Sequence, residues 1–90
     1  MNTTIWKYPL AIDVEQTLEV PDGARILCVQ MQGETPCMWA TVDPEAENIR
    51  WTIRMVGTGA GELEEDMAYI GTVQVDGYVW HYFEVRETLF

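Results

Sequence analysis

The feature that most restricts the fold is Asp76-Gly77, set between Tyr69-Ile70-Gly71-Thr72-Val73-Gln74-Val75 and Tyr78-Val79-Trp80-His81-Tyr82-Phe83-Glu84-Val85. Two runs rich in β-branched and aromatic residues, joined by Asp-Gly, predict a two-residue hairpin. Both central positions of such a turn need positive φ, and Asp and Gly tolerate it best. The turn sets the register. On one face Val75 is expected opposite Tyr78, Val73 opposite Trp80, Gly71 opposite Tyr82 and Tyr69 opposite Glu84. The other face carries Ile70, Thr72 and Gln74 against Phe83, His81 and Val79. The bare backbone at Gly71 is expected to let the Tyr82 ring lie across it.

The rest of the chain repeats the pattern. Thr4 to Tyr8 is a strand stopped by Pro9, with Trp6 and Tyr8 on one face and Ile5 and Lys7 on the other. Gln16 to Val20 alternates, with Leu18 and Val20 inward, and Pro21-Asp22-Gly23 turns the chain. Ala24 to Gln32 is apolar on both faces for most of its length, which predicts a central strand covered on both sides. Gly33-Glu34 reverses into Pro36 to Val42, also apolar on both faces. Asp43 to Asn48 is an acidic loop with room for one helical turn capped by Asp43. Ile49 to Val56 is amphipathic: Ile49, Trp51, Ile53 and Met55 point one way, Arg50, Thr52 and Arg54 the other. Gly57-Thr58-Gly59-Ala60-Gly61 and Glu62-Leu63-Glu64-Glu65-Asp66 then lead to the hairpin, and Arg86 to Phe90 reads as a trailing end. About seven short strands without a long helix predict one all-β domain over residues 1–90, a small antiparallel sandwich or a partly open barrel. Open sheets leave edges that pairing between protomers would cover, so a homo-oligomer is expected.

Composition narrows the function. Of the 90 residues 48% are hydrophobic, with four Trp and four Tyr, which is far too apolar for a disordered acidic tail. Fifteen Asp and Glu against five Lys and Arg give a formal charge of -10. That excess argues against direct nucleic-acid binding by phosphate neutralisation and against anionic membranes. No apolar run approaches the roughly 18 residues of a membrane span. Met1-Asn2-Thr3-Thr4 lacks the basic start of a secretory signal, which predicts a cytoplasmic protein with Cys28 and Cys37 reduced. With the turn at Gly33-Glu34, Gln30 lies opposite Cys37, so the two thiols miss each other.

Catalytic constellations are hard to find. Ser is absent, His81 is the only histidine, and no spacing resembles a zinc site, so no enzyme, metal or cofactor is expected. Glu62, Glu64, Glu65 and Asp66 read as a solvated loop rather than a cation site. Arg50 and Arg54 stand out: two of five positive charges share one face of one strand, about 13 Å apart at regular rise. The plain reading pairs them with neighbouring carboxylates; the functional one gives them a phosphate or carboxylate ligand. The following Gly57, Thr58 and Gly59 suit a backbone anion nest, though the run lacks the Lys-Ser/Thr ending of a P-loop.

The run Ile5-Trp6-Lys7-Tyr8-Pro9-Leu10 resembles the opening of a small-domain family of bacteriophages and prophages whose function is unassigned. The likeness continues through Gln16 to Pro21, Gly23 to Leu27, Val29-Gln30, Pro36 to Ala40, Val42-Asp43-Pro44, Gly57-Thr58-Gly59 and Tyr69 to Thr72. Glu62 to Asp66 matches it least. The resemblance implies an accessory phage protein in the cytoplasm of an infected bacterium, and it supplies no catalytic residues. Such proteins often oppose host defence, and two mechanisms suit these residues. In the first, a homo-oligomer sequesters a small anionic, nucleotide-like ligand, with Arg50, Arg54, Gly57, Thr58 and Gly59 on phosphate and Trp6 or Tyr8 stacked on a base. In the second, the acidic residues of 43–47 and 62–66 mask a basic, nucleic-acid-binding site on a host protein.

Overall fold

A computed structural model describes residues 2–86. Seven antiparallel strands form two open sheets. They are β1 (Thr4–Pro9), β2 (Glu15–Pro21), β3 (Arg25–Gln32), β4 (Thr35–Val42), β5 (Asn48–Gly57), β6 (Met67–Val75) and β7 (Tyr78–Val85). The first sheet runs β1-β4-β3 and the second β2-β5-β7-β6. Their facing sides enclose one apolar cluster built on Leu10, Val29, Met38, Ile53, Met55, Val73 and Tyr82. Tyr82 is fully buried, and its hydroxyl donates to the Ala11 carbonyl at 2.9 Å, which ties the β1–β2 connection over one end of the core. Burial pushes the Tyr82 phenol up to about 12.

The hairpin forms as its turn chemistry demands. Asp76 and Gly77 have φ of 52° and 83°, and Val75, Val73 and Gly71 lie opposite Tyr78, Trp80 and Tyr82. Beyond Gly71 the expected register fails. A bulge at Ile70 puts Tyr69 opposite Phe83 and Ala68 opposite Glu84, so Tyr69 moves to the outer face, edge-on to Phe83 with ring centroids 5.8 Å apart. The space beside Gly71 is used differently as well. A Cβ there would lie 2.5 Å from the Cβ of Val29, so it is β3 of the facing sheet, rather than the Tyr82 ring, that presses on this bare backbone.

The third strand is the main correction. It is an edge of its sheet rather than a covered centre, and a bulge between Ile26 and Cys28 turns Leu27 outward at 53% exposure. Its two-faced apolarity comes from that bulge and from contact with β6. The central strand is β4, where Cys37, Met38, Ala40 and Val42 are at most 1% exposed. Gln30 does face Cys37, and both cysteines are free. The acidic loop after β4 makes a single turn, in which the Asp43 carboxylate accepts from the Glu45 N–H at 3.0 Å. Of the expected trailing end, Arg86 is held by its N–H to the Asp66 carbonyl at 2.7 Å, and 87–90 lie outside the described residues.

Candidate functional site

Antiparallel pairing fixes where the candidate arginines go. Strand β5 lies between β2 and β7, with Glu19 opposite Arg50 and Glu15 opposite Arg54 on the outer face of the four-stranded sheet. The Arg54 guanidinium is shared between Glu15 at 3.4 Å and Glu64 at 3.3 Å. Its charge is thus taken up by the chain's own acids, and the bridge to Glu64 holds the 58–66 connection against the sheet. Arg50 is exposed, and among the described residues it makes no ion pair.

The glycine segment serves packing. A Cβ on Gly57 would sit 3.1 Å from the Trp80 ring, and the Ala60 N–H closes a turn on the Gly57 carbonyl at 3.1 Å. The Thr58 hydroxyl lies 2.7 Å from His81 Nε2, and His81 Nδ1 lies 2.9 Å from Thr72, whose hydroxyl meets that of Tyr69 at 2.6 Å. Either neutral tautomer of His81 satisfies this chain, because each hydroxyl can donate or accept. Segment 57–61 walls a cavity of about 360 Å³ with Leu63, His81 and Phe83. The sequence pattern gave no sign of this network.

Trp6 and Tyr8 belong to β1 of the other sheet. Their partners across the ladder are Ala40 and Met38, both fully buried, so these two rings line the inner side of that sheet. Tyr8 is half-buried, its hydroxyl has no protein partner, and burial raises its pKa. Arg50 and Arg54 occupy the far side of the second sheet. The seven residues singled out from the sequence therefore make no single site.

A different group of residues converges. Where the two sheets part, the start of β3, the middle of β5 and the ends of β6 and β7 border a cleft of about 640 Å³. Arg25, Ile26, Trp51, Ile70, Glu84 and Arg86 line it. A second hollow of about 550 Å³ shares Trp51, Glu84 and Arg86 and adds Arg50. Arg25 and Arg86 thus share the cleft with the half-buried Trp51, while Arg50, on the outer face of β5, borders only the second hollow. Glu84 sits on the inner face because it pairs with Ile53; its carboxylate, 16% exposed, meets Arg86 Nε at 3.5 Å. Guanidinium groups at a cleft rim offer paired donors to phosphate or carboxylate, the indole offers a stacking face, and Glu84 accepts from an N–H or O–H. One clue was present in the alternation of the terminal hairpin: it put the carboxylate of Glu84 on the face carrying Tyr82, Trp80 and Tyr78.

The acidic segments do not combine. The loops at 43–47 and 58–66 join opposite ends of β5, whose ten residues span about 30 Å at strand rise. Among the described residues, no group of three His, Cys, Asp or Glu could hold a metal, and no helix is long and apolar enough to cross a membrane.

A family model described as a domain of unknown function, DUF7352, matches residues 1–89. No curated protein and no solved structure matches the chain.

Proposed function

The chain belongs to the DUF7352 family, and we propose that it is a non-enzymatic binding domain that sequesters a small anionic, nucleotide-like ligand. The carrying observation is that Arg25 and Arg86 border one cleft with Trp51 in a chain of formal charge -10. The cleft volume suits one small ligand, since such sites span roughly 300–1,000 Å³. A base stacks on Trp51, Arg25 and Arg86 hold phosphate, and Glu84 accepts from a ring amino group or a sugar hydroxyl. Arg54 and the glycine segment contribute by holding the outer face rather than by touching the ligand. The setting, an accessory bacteriophage protein acting as a homo-oligomer against a defence of the infected bacterium in its cytoplasm, rests on the resemblance of Ile5 to Leu10 and the later matching runs. The masking of a basic host protein has less support, because the two acidic loops lie at opposite ends of β5.

Calorimetry against a panel of mono-, di- and cyclic nucleotides tests this. One class should bind, and Arg25→Ala should weaken it about 10- to 100-fold, the value of one charge-assisted hydrogen bond at about 1.5–3 kcal/mol. A panel in which no nucleotide binds or raises the melting temperature would refute the reading.

A further inference from the structure

Each sheet has two outer strands, and three of the four are accounted for. Strands β3 and β6 press on each other where Val29 meets Gly71. Strand β2 carries Glu15 and Glu19, so pairing it with its own copy would gather four carboxylates on one edge. Strand β1 is different. Its residues, Thr-Ile-Trp-Lys-Tyr-Pro, include no acid, and Ile5 and Trp6 are 58% and 40% exposed. Lysine on an edge strand normally obstructs pairing. Here Lys7 is folded back across β4, its ammonium donating to Gln32 at 2.6 Å, away from the open side.

The hydrogen-bonding phase of this edge follows from one contact. The Leu10 N–H reaches the Pro36 carbonyl on β4 at 2.8 Å. Backbone groups alternate in direction along a strand, so Tyr8, Trp6 and Thr4 bond to β4 while Ile5 and Lys7 present N–H and C=O to the open side. Pro9, lacking an N–H, falls on that open side, where proline is tolerated in a sheet.

We propose that two copies of the chain associate through β1, antiparallel about a two-fold axis at Trp6, joining their three-stranded sheets into one of six strands. Ile5 then pairs with Lys7 of the second copy and Lys7 with its Ile5, making four backbone hydrogen bonds. Trp6 faces its own symmetry mate in a non-hydrogen-bonded pair, where side chains approach closest. A second copy suits this edge because the strand is self-complementary about Trp6 and free of the negative charge that dominates the chain. This interface deepens the oligomeric part of the proposed function and does not depend on its ligand.

Sedimentation and light scattering of the full chain test it, with Ile5→Pro, Trp6→Glu and Trp6→Cys as variants. The wild type should show about double the 10.3 kDa chain mass. Ile5→Pro removes an outward N–H without touching the bonds to β4, and Trp6→Glu sets like charges face to face; both should halve the mass with far-UV dichroism unchanged. Trp6→Cys should form a disulfide-linked dimer under mild oxidation where the wild type does not. If Trp6→Glu fails to fold, Ile5→Pro decides, because that side chain is already in solvent. A monomeric wild type overturns the proposal and the oligomeric reading together, while the ligand reading is judged separately by calorimetry. A dimer that survives Ile5→Pro overturns this interface alone.

Discussion

Gly71 is the position where a single methyl group should do most damage. A Cβ built there lies 2.5 Å from Val29 Cβ, 3.2 Å from its Cγ2 and 3.3 Å from its carbonyl oxygen. Carbon atoms pack at about 3.5–4.0 Å, so Gly71→Ala must part β3 and β6 by roughly an ångström. None of the three atoms is the far end of a flexible side chain, since the Val29 methyl is fixed by branching at Cβ, so the strain falls on the backbone of both strands. Overpacking of this kind costs about 1–3 kcal/mol, and the closeness of the contact places this case near the upper end. For a domain of this size that lowers the melting temperature by roughly 10–20 °C. The backbone conformation adds nothing, because Gly71 is not among the glycines with positive φ. A double-mutant cycle in urea isolates the contact. Val29→Ala keeps the offending Cβ and should leave the cost of Gly71→Ala nearly intact. Val29→Gly removes it, and in that background Gly71→Ala should cost less than about 1 kcal/mol. An equal cost in all three backgrounds would show that the sheets do not meet here.

Three further perturbations probe other parts of the fold. Gly77→Ala meets no atom within 4 Å, so its cost should be that of a left-handed backbone alone, about 1–2 kcal/mol by denaturant unfolding. Arg54→Met breaks two exposed ion pairs and should cost less than about 1 kcal/mol, shrinking further in salt and leaving ligand affinity within about twofold by calorimetry. Tyr82 has a phenol pKa raised to about 12 by burial against an ordinary 10, so the folded state keeps a proton that the unfolded chain has lost. Its stabilising share is complete below pH 10 and declines as pH rises from 10 toward 12. Unfolding midpoints followed over that window should fall more steeply for the wild type than for Tyr82→Phe.

The hairpin was legible because its information is local. Asp76 and Gly77 each adopt the positive φ their chemistry permits, and register follows from the turn for as long as the ladder stays regular. It stopped being legible at Ile70, where the extra residue answers to the opposite sheet. A glycine within a strand signals a bulge or a close approach, and here both occur within two residues. Strand β3 failed for a related reason: a bulge that exposes Leu27 and a central strand covered on both sides leave the same two-faced apolar run. Alternation correctly put Arg50 and Arg54 on one face of β5. It could not foresee that Glu64 arrives from a loop to share Arg54, and nothing local joins Arg25 of β3, Trp51 of β5 and Arg86, which follows β7.

The surplus of acid bears on which anions the proposed cleft would accept. A nucleic-acid strand bound at Arg25 and Arg86 would carry its neighbouring phosphates out over the surrounding surface. Over the chain as a whole fifteen carboxylates outnumber five cations, and charges closer than about 8 Å are poorly screened at physiological salt. Each added phosphate would then weaken binding rather than strengthen it. A ligand with one or two phosphates would end before it reaches that field, with its charge beside Arg25 and Arg86. On this reasoning the negative surface works as a size filter for anions, so affinity should fall as an oligonucleotide series lengthens from one residue to several, with the penalty relieved by salt.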